Sequence, residues 1–101
     1  MRSTRLPPLT AVRAFEAAAR HASFSRAADE LGVTHGAVSK QIRVLEDDLR
    51  QKLFSRGVRQ VKLTSAGREL MAEIGPALER IAAAVSSLRE VCFQALRRRQ
   101  L

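Results

Sequence analysis

Three residues, Gly32, Val33 and Thr34, are all that separates two amphipathic segments, and this short connection restricts the fold more than any other feature. Glycine takes the left-handed conformation that ends a helix at little cost, so we expect the first helix to end at Leu31. Threonine is a favoured N-cap, so we expect the second helix to run on from about His35. Two helices joined so tightly are typical of a helix-turn-helix.

The first of these two segments is expected to be a short helix, with a longer helix ahead of it. Ser23 can cap the short helix, while Ala27 and Ala28 give it a small inner face that lets helix axes approach closely. The longer helix is expected over residues 9 to about 20. Its apolar positions at helical spacing are Leu9, Val12, Phe15 and Ala19.

The helix that begins near His35 is expected to reach Leu49 and to have two different faces. Its apolar stripe consists of Val38, Ile42, Leu45 and Leu49. Its other face, here called the recognition face, consists of His35, Gly36, Ser39, Lys40 and Arg43. A surface helix that serves only solubility usually carries Glu and Lys pairs, so small polar residues with cations indicate that a large molecule comes close.

A two-stranded hairpin is predicted after this helix. An apolar pair at residues 53–54 and the alternating residues 61–63 flank a turn that contains glycine. Arg56 and Arg59 are expected at the tip of the hairpin. Residues 35–64 contain seven Lys or Arg against three Asp or Glu, so half of the net charge of +8 lies on this third of the chain.

The charge of the whole chain indicates a polyanionic partner. Lys and Arg number 18 against 10 Asp and Glu, and the sequence pI is about 11.4, which makes nucleic acid the leading candidate. The sequence has neither a membrane-length apolar stretch nor a secretion signal, so we expect a cytoplasmic protein with no membrane partner. A single cysteine, Cys92, cannot form an internal disulfide, which fits a reducing compartment.

The last third of the chain carries an apolar seam with steps of three and four residues. The seam consists of Met71, Ile74, Leu78, Ile81, Val85, Leu88 and Cys92, and continues to Ala95. One helix on a small domain does not need so long a seam, so we expect it to meet a second copy of itself, with packing onto its own domain as the alternative. Cys92 is interpreted as a buried small apolar residue, and a kink or a fresh helix start is expected at Pro76.

Together these elements predict a mainly α fold in two parts. Residues 1–64 form a winged helix-turn-helix, and residues 65–101 form a long dimerisation (linker) helix with a basic tail. The third helix enters the DNA major groove, where Gly36 permits close approach of the backbone to base edges, and the hairpin lies along the DNA backbone or minor groove. We expect double-stranded DNA to be contacted by Ser23, Ser25, Thr34, His35, Gly36, Ser39, Lys40, Arg43, Arg56 and Arg59.

The runs SFSRAADELGVTHGAVSKQIRVLEDDL, LF.RG and LTSAG resemble the N-terminal DNA-binding region of LysR-type transcriptional regulators. The sequence is most similar to the branch of the glycine-cleavage activator and the β-lactamase regulator. The resemblance implies a homodimer through the linker helix and an operator that is an interrupted inverted repeat. It also implies an effector domain on the C-terminal side, so we expect any effector-ligand site to lie in that domain, outside this sequence. Lys40 stands where the family often has Arg, and His35 stands where Gln is common, which affects base preference.

Two rival functions follow from the same residues. A helical interaction and dimerisation module with non-specific nucleic-acid affinity would also carry the seam and the positive charge. An enzyme is the weakest hypothesis, because no Ser-His-Asp arrangement, paired carboxylates or Gly-rich phosphate motif occurs. Neither His21 nor His35 has carboxylate or cysteine neighbours at metal-ligand spacing, so we expect no metal and no cofactor.

Overall fold

The computed structural model of the chain describes residues 5–56 and 61–99, and in them three helices, a hairpin and a fourth helix follow one another. The elements are α1 (Leu9–His21), α2 (Phe24–Leu31), α3 (His35–Leu49), β1 (Phe54–Arg56), β2 (Val61–Leu63) and α4 (Ser65–Arg99). This confirms the predicted mainly α fold with a small hairpin and a long last helix. The hairpin of β1 and β2 is called the wing below.

Local capping fixes both ends of α2 and the start of α3, as the sequence predicts. Ser23 Oγ accepts a hydrogen bond of 3.1 Å from the N–H of Arg26, and Thr34 Oγ1 accepts one of 3.1 Å from the N–H of Ala37. Gly32 has φ 68°, the left-handed conformation expected at the end of a helix. The connection between the two helices is therefore set by contacts within a few residues.

The inner face of α1 differs from the prediction. Leu9 is 63% exposed, and Val12 and Ala19 are only half-buried, so of the four predicted apolar positions only Phe15 lies in the core. The buried residues of α1 are Ala11, Ala14, Phe15, Ala17 and Ala18. Since α1 packs against both α2 and α3, alanines let the three axes approach closely where larger side chains would separate them.

The apolar stripe of α3 is confirmed at Val38, Ile42 and Leu45, which are buried, and is wrong at Leu49. Leu49 is 40% exposed because the last turn of α3 borders an open groove of about 280 Å³ that the first turns of α4 line on the other side. The remaining buried residue of α3 is the carboxylate Glu46.

The wing is a short antiparallel pair with Phe54 opposite Leu63 and Arg56 opposite Val61. The predicted turn and Arg59 fall in residues 57–60, which lie outside the described residues. Thr64 closes the base of the wing, because its Oγ1 donates to the carbonyl of Lys52 at 2.6 Å.

The start of α4 is pressed against the wing. Thr64 Oγ1 accepts from the N–H of Gly67 at 3.1 Å, so Thr64 caps α4. A Cβ on Gly67 would lie 2.2 Å from the carbonyl oxygen of Leu53 and 2.9 Å from Cδ2 of Leu63. The close approach of α4 to the wing therefore needs glycine at this position.

The long helix α4 is continuous through Pro76, so of the expected kink or fresh helix start the fresh start is wrong, and the kink stays a prediction. Proline removes one backbone donor and crowds one carbonyl, and this local loss does not divide the helix of 35 residues. In the described part of the chain no helix is long and apolar enough to cross a bilayer.

The seam divides into two parts along α4. Met71 and Ile74 are half-buried and pack against the core, as the alternative of packing onto the same domain predicts. From Ile81 onward every seam position of the protomer is exposed, and Leu88 reaches 71%. Cys92 is exposed too, so its expected burial does not occur within one protomer.

Candidate nucleic-acid interface

The first turns of α3 present the recognition face to solvent. His35, Gly36, Lys40 and Arg43 are exposed and Ser39 is half-buried, and the first turn of α3 contains no acidic residue. The N-terminus of a helix carries a partial positive charge, so these cations and the helix dipole have the same sign. The surface is suited to an anionic partner.

Glycine at position 36 is not required by the packing of the protein. A Cβ on Gly36 would meet only Thr34 Oγ1, at 4.0 Å, and its φ lies outside the left-handed region. This contrasts with Gly67, where the fold leaves no room for a methyl group. The lack of a side chain at Gly36 therefore leaves the surface of α3 accessible, although the packing of the protein does not require glycine there.

Backbone and hydroxyl donors surround this opening. A helix leaves its first N–H groups without intrahelical partners, and Thr34 occupies only that of Ala37, so the N–H groups of His35 and Gly36 are available to an acceptor. The hydroxyl oxygens of Ser23 and Thr34 serve as caps, which leaves each hydroxyl proton free to donate. Ser25 is exposed in the first turn of α2. These are the groups that bind phosphate at helix N-termini.

The wing contributes one described cation to the same region. Arg56, the last residue of β1, is exposed, and its guanidinium carbon lies 5.4 Å from the centre of the Phe24 ring. The ring of His35 lies 5.9 Å from that same Phe24 ring. The structure thus brings Arg56 and the first residue of α3 together around one aromatic side chain.

Glu46 is a residue that sequence reasoning missed. Its side chain is 5% exposed and Oε2 accepts hydrogen bonds from the N–H groups of Leu53, at 2.8 Å, and Phe54, at 3.4 Å. It therefore fixes the start of the wing relative to α3. The signal was present in the sequence, because Glu46 lies four residues after Ile42 and next to Leu45, on the apolar stripe.

A separate ionic cluster ties the end of α1 to α2. Arg20 pairs with Glu16 at 2.8 Å and with Glu30, and His21 contacts Glu30 at 2.9 Å. The hydrogen bonds from Arg20, and then from His21, lower the pKa of Glu30 to about 2, while Glu30 and Glu16 raise the pKa of Arg20. Glu16 and Glu30 thereby balance the charge of Arg20 at the end of α1.

Among residues 5–56 and 61–99 the structure brings together no group of His, Cys, Asp and Glu side chains that could hold a metal ion.

A capped helix-turn-helix followed by a wing, with an open cationic face at the start of its second helix, defines a winged helix-turn-helix module. Residues 9–68 match the family described as "Bacterial regulatory helix-turn-helix protein, lysR family". The chain belongs to this family.

Curated relatives are transcription regulators. The chain is 53% identical over 93 residues to the "HTH-type transcriptional regulator TrpI" of Pseudomonas aeruginosa, a match that covers 92% of this chain and 32% of TrpI. It is 49% identical over 87 residues to the "Glycine cleavage system transcriptional activator" of Escherichia coli K12, covering 86% of this chain and 28% of the activator. The branch named from the sequence is thereby confirmed, and the chain spans about a third or less of the length of these relatives.

Solved structures of similar fold include LysR-family DNA-binding domains. The DNA-binding domain of BenM, in a complex with catB site 1 DNA, matches with a TM-score of 0.74 at 32% identity, over 83% of this chain and 93% of that chain. OxyR of Corynebacterium glutamicum matches with a TM-score of 0.77 at 26% identity, over 87% of this chain and 28% of that chain. The fold is that of LysR-family DNA-binding domains.

Proposed function

We propose that this chain is the sequence-specific DNA-binding part of a LysR-type transcriptional regulator and acts as a homodimer on an interrupted inverted repeat. The observation that carries the proposal is the open recognition face of α3. The packing of the protein does not require glycine at position 36, so the open surface there serves another purpose. A relative of known structure, the BenM DNA-binding domain, is described in complex with DNA, which supports the same role.

In the proposed complex α3 lies in the major groove. Ser39 and Lys40 are placed on its exposed face one turn beyond His35, within reach of base edges once Gly36 lets the backbone approach. Lysine is a point charge where arginine would offer a planar fork, so guanine selection by Lys40 is expected to be modest.

Phosphate contacts hold the module in register on the duplex. They come from the N-terminal turns of α2 and α3 and from the cations at their edges. The residues proposed for this role are Ser23, Ser25, Thr34, Arg43 and Arg56. Arg59, which lies outside the described residues, remains a sequence-based prediction for the minor groove.

Dimerisation through the distal seam sets the spacing of two recognition faces. Helix α4 has an exposed apolar stripe that consists of Ile81, Val85, Leu88 and Cys92. Packing this stripe against the same stripe of a second copy removes apolar surface from water, which favours association. Met71 and Ile74 support the base of α4, and Leu78 stands between the two parts. A pair of long helices would hold two DNA-binding modules at a fixed separation, so that each module binds one half-site of an inverted repeat.

Binding to duplexes of defined sequence tests this function. An operator selected from random duplex DNA and a scrambled duplex of the same length are titrated across a salt series. We expect tighter binding to the operator at every salt concentration, by a factor of about a thousand or more at physiological salt. Equal affinity for both duplexes would rule out sequence reading.

The second candidate is a helical dimerisation module whose positive charge is incidental, and the exposed distal seam is the observation that favours it. Dimer formation together with no duplex affinity at low salt would support this candidate over the first. For both candidates the family match supports a role in regulation and not in catalysis. We also propose that the protein is cytoplasmic. An effector-ligand site is expected only in the longer regulator, outside residues 1–101.

A further inference from the structure

The ring of Phe24, the first residue of α2, contacts groups from both DNA-facing elements. The guanidinium of Arg56, in the wing, lies over this ring at 5.4 Å from its centre. The imidazole of His35, the first residue of α3, lies 5.9 Å from the ring at an interplanar angle of 47°. One side chain of α2 therefore touches both the wing cation and the start of the recognition face.

The Phe24 ring is itself held firmly in place. It is 5% exposed, and it meets the ring of Phe54 edge-on, with centres 5.4 Å apart and an angle of 82°. Phe54 in turn packs on Phe15 of α1 at 5.5 Å. Such offset and edge-to-face contacts between buried rings fix their orientation. Phe24 thus offers a rigid surface to the long and flexible side chain of Arg56.

A cation held over an aromatic face is ordered before any partner arrives. An exposed arginine loses much rotational freedom when it binds a phosphate, and an arginine that is already ordered loses less. Attraction between the ring and the guanidinium provides this ordering at Arg56. Because Phe24 also contacts His35, the ordered guanidinium has a defined place relative to α3.

We propose that Phe24 is a positioning residue for DNA binding, whose ring holds the guanidinium of Arg56 in a fixed place beside the first turn of α3. The proposal rests on the proposed function, since it assigns to Phe24 the alignment of two groups that contact the duplex. Phe24 acts through Arg56 and has no DNA contact of its own.

A double-mutant cycle on the selected operator tests the coupling. Phe24→Leu keeps a buried apolar side chain and removes the ring, and it is measured alone and together with Arg56→Ala. We expect Phe24→Leu to weaken operator binding about two- to fivefold, the size of an exposed cation–π contact. In the Arg56→Ala background the same change is expected to have no further effect.

Three outcomes would overturn the proposal. Phe24→Leu could leave operator affinity unchanged, or it could weaken binding equally in both backgrounds, which would make its effect purely structural. A wild-type chain that prefers no duplex would overturn the proposed function and this inference with it. The wild-type titration alone identifies that last case.

A measurement on the free wild-type chain does not depend on the folding of any variant. The ring current of Phe24 should move the side-chain proton resonances of Arg56 upfield of their random-coil positions, and relaxation of its Nε should report restricted motion. Arg43, exposed on α3, is the reference cation and is expected near random-coil values. Random-coil shifts and fast motion at Arg56 would contradict the proposal.

Discussion

The carboxylate of Glu46 accepts a hydrogen bond from the main-chain N–H of Leu53 at 2.8 Å, and this contact joins α3 to the start of the wing. It is made by a buried side chain to buried backbone. The two parts of the module that are proposed to face DNA are thereby held together on the side away from solvent.

Replacing Glu46 with Ala should destabilise the fold. The change leaves the N–H groups of Leu53 and Phe54 buried without their acceptor, at a cost of roughly 1 to 3 kcal/mol. Chemical denaturation of the wild type, Glu46→Ala and the exposed control Asp47→Ala measures this cost. A loss no larger than that of the control would show that the carboxylate does not support the wing.

Gly36 and Gly67, both within helices, should respond in opposite ways to a methyl group. Gly67→Ala places Cβ against the carbonyl of Leu53 and is expected to cost roughly 1 to 3 kcal/mol of stability or more, since the neighbour is backbone. Gly36→Ala meets open space, so stability should hold or rise by up to about 1 kcal/mol. Thermal unfolding of both variants provides the measurement, and similar losses would refute the distinction.

Gly36→Ala should nevertheless weaken operator binding. A methyl group on the recognition face holds the backbone of α3 away from base edges, which we expect to cost about as much as one base contact, roughly 1 to 3 kcal/mol. Titration of a selected operator with this stable variant separates binding from folding. Wild-type affinity would mean that α3 does not approach the bases closely at this point.

Low pH should remove the stabilisation that Glu30 provides. Its pKa is lowered to about 2 in the fold from an ordinary value of 4.5, so the contribution is complete above about pH 4.5 and is lost as the pH falls towards 2. The carboxylate is partly exposed, so the effect is small. The stability difference between wild type and Glu30→Gln should shrink over this pH window. A difference that stays constant over this pH window would contradict the assignment.

A substitution in the distal seam should weaken association between two copies and leave the fold of one protomer intact. Leu88→Glu puts a charge on the exposed stripe and is expected to weaken dimerisation by about fivefold or more. Ser86→Glu is the matched control, because a helical step of 100° per residue places it on another side of α4. Analytical ultracentrifugation measures both variants. Equal association of the two would place the dimer contact elsewhere.

The parts of this fold that could be predicted from the sequence are those decided by near neighbours. Ser23, Gly32 and Thr34 act through hydrogen bonds or φ angles within three residues, so both ends of α2 and the start of α3 followed directly. The residues of the recognition face could be predicted for the same reason. Once the start of a helix is known, its period determines which residues lie on the same side.

The parts that could not be predicted depend on contacts between distant segments. Leu9 has the right spacing for a core position, but the alanines of α1 face the core because α2 and α3 lie so close. Glu46 became a buried link only because residues 53–54 bring two N–H groups to it. The place of Arg56 over Phe24 likewise depends on the packing of the wing against α2.

The most direct test of base reading by α3 is the ratio of affinities for the selected operator and a scrambled duplex, compared between the wild type and Lys40→Ala. Loss of a base contact made by a point charge should lower this ratio by roughly 1 kcal/mol, which is about fivefold. Arg80→Ala, an exposed cation on α4, should leave the ratio unchanged. A wild-type ratio in Lys40→Ala would contradict the account.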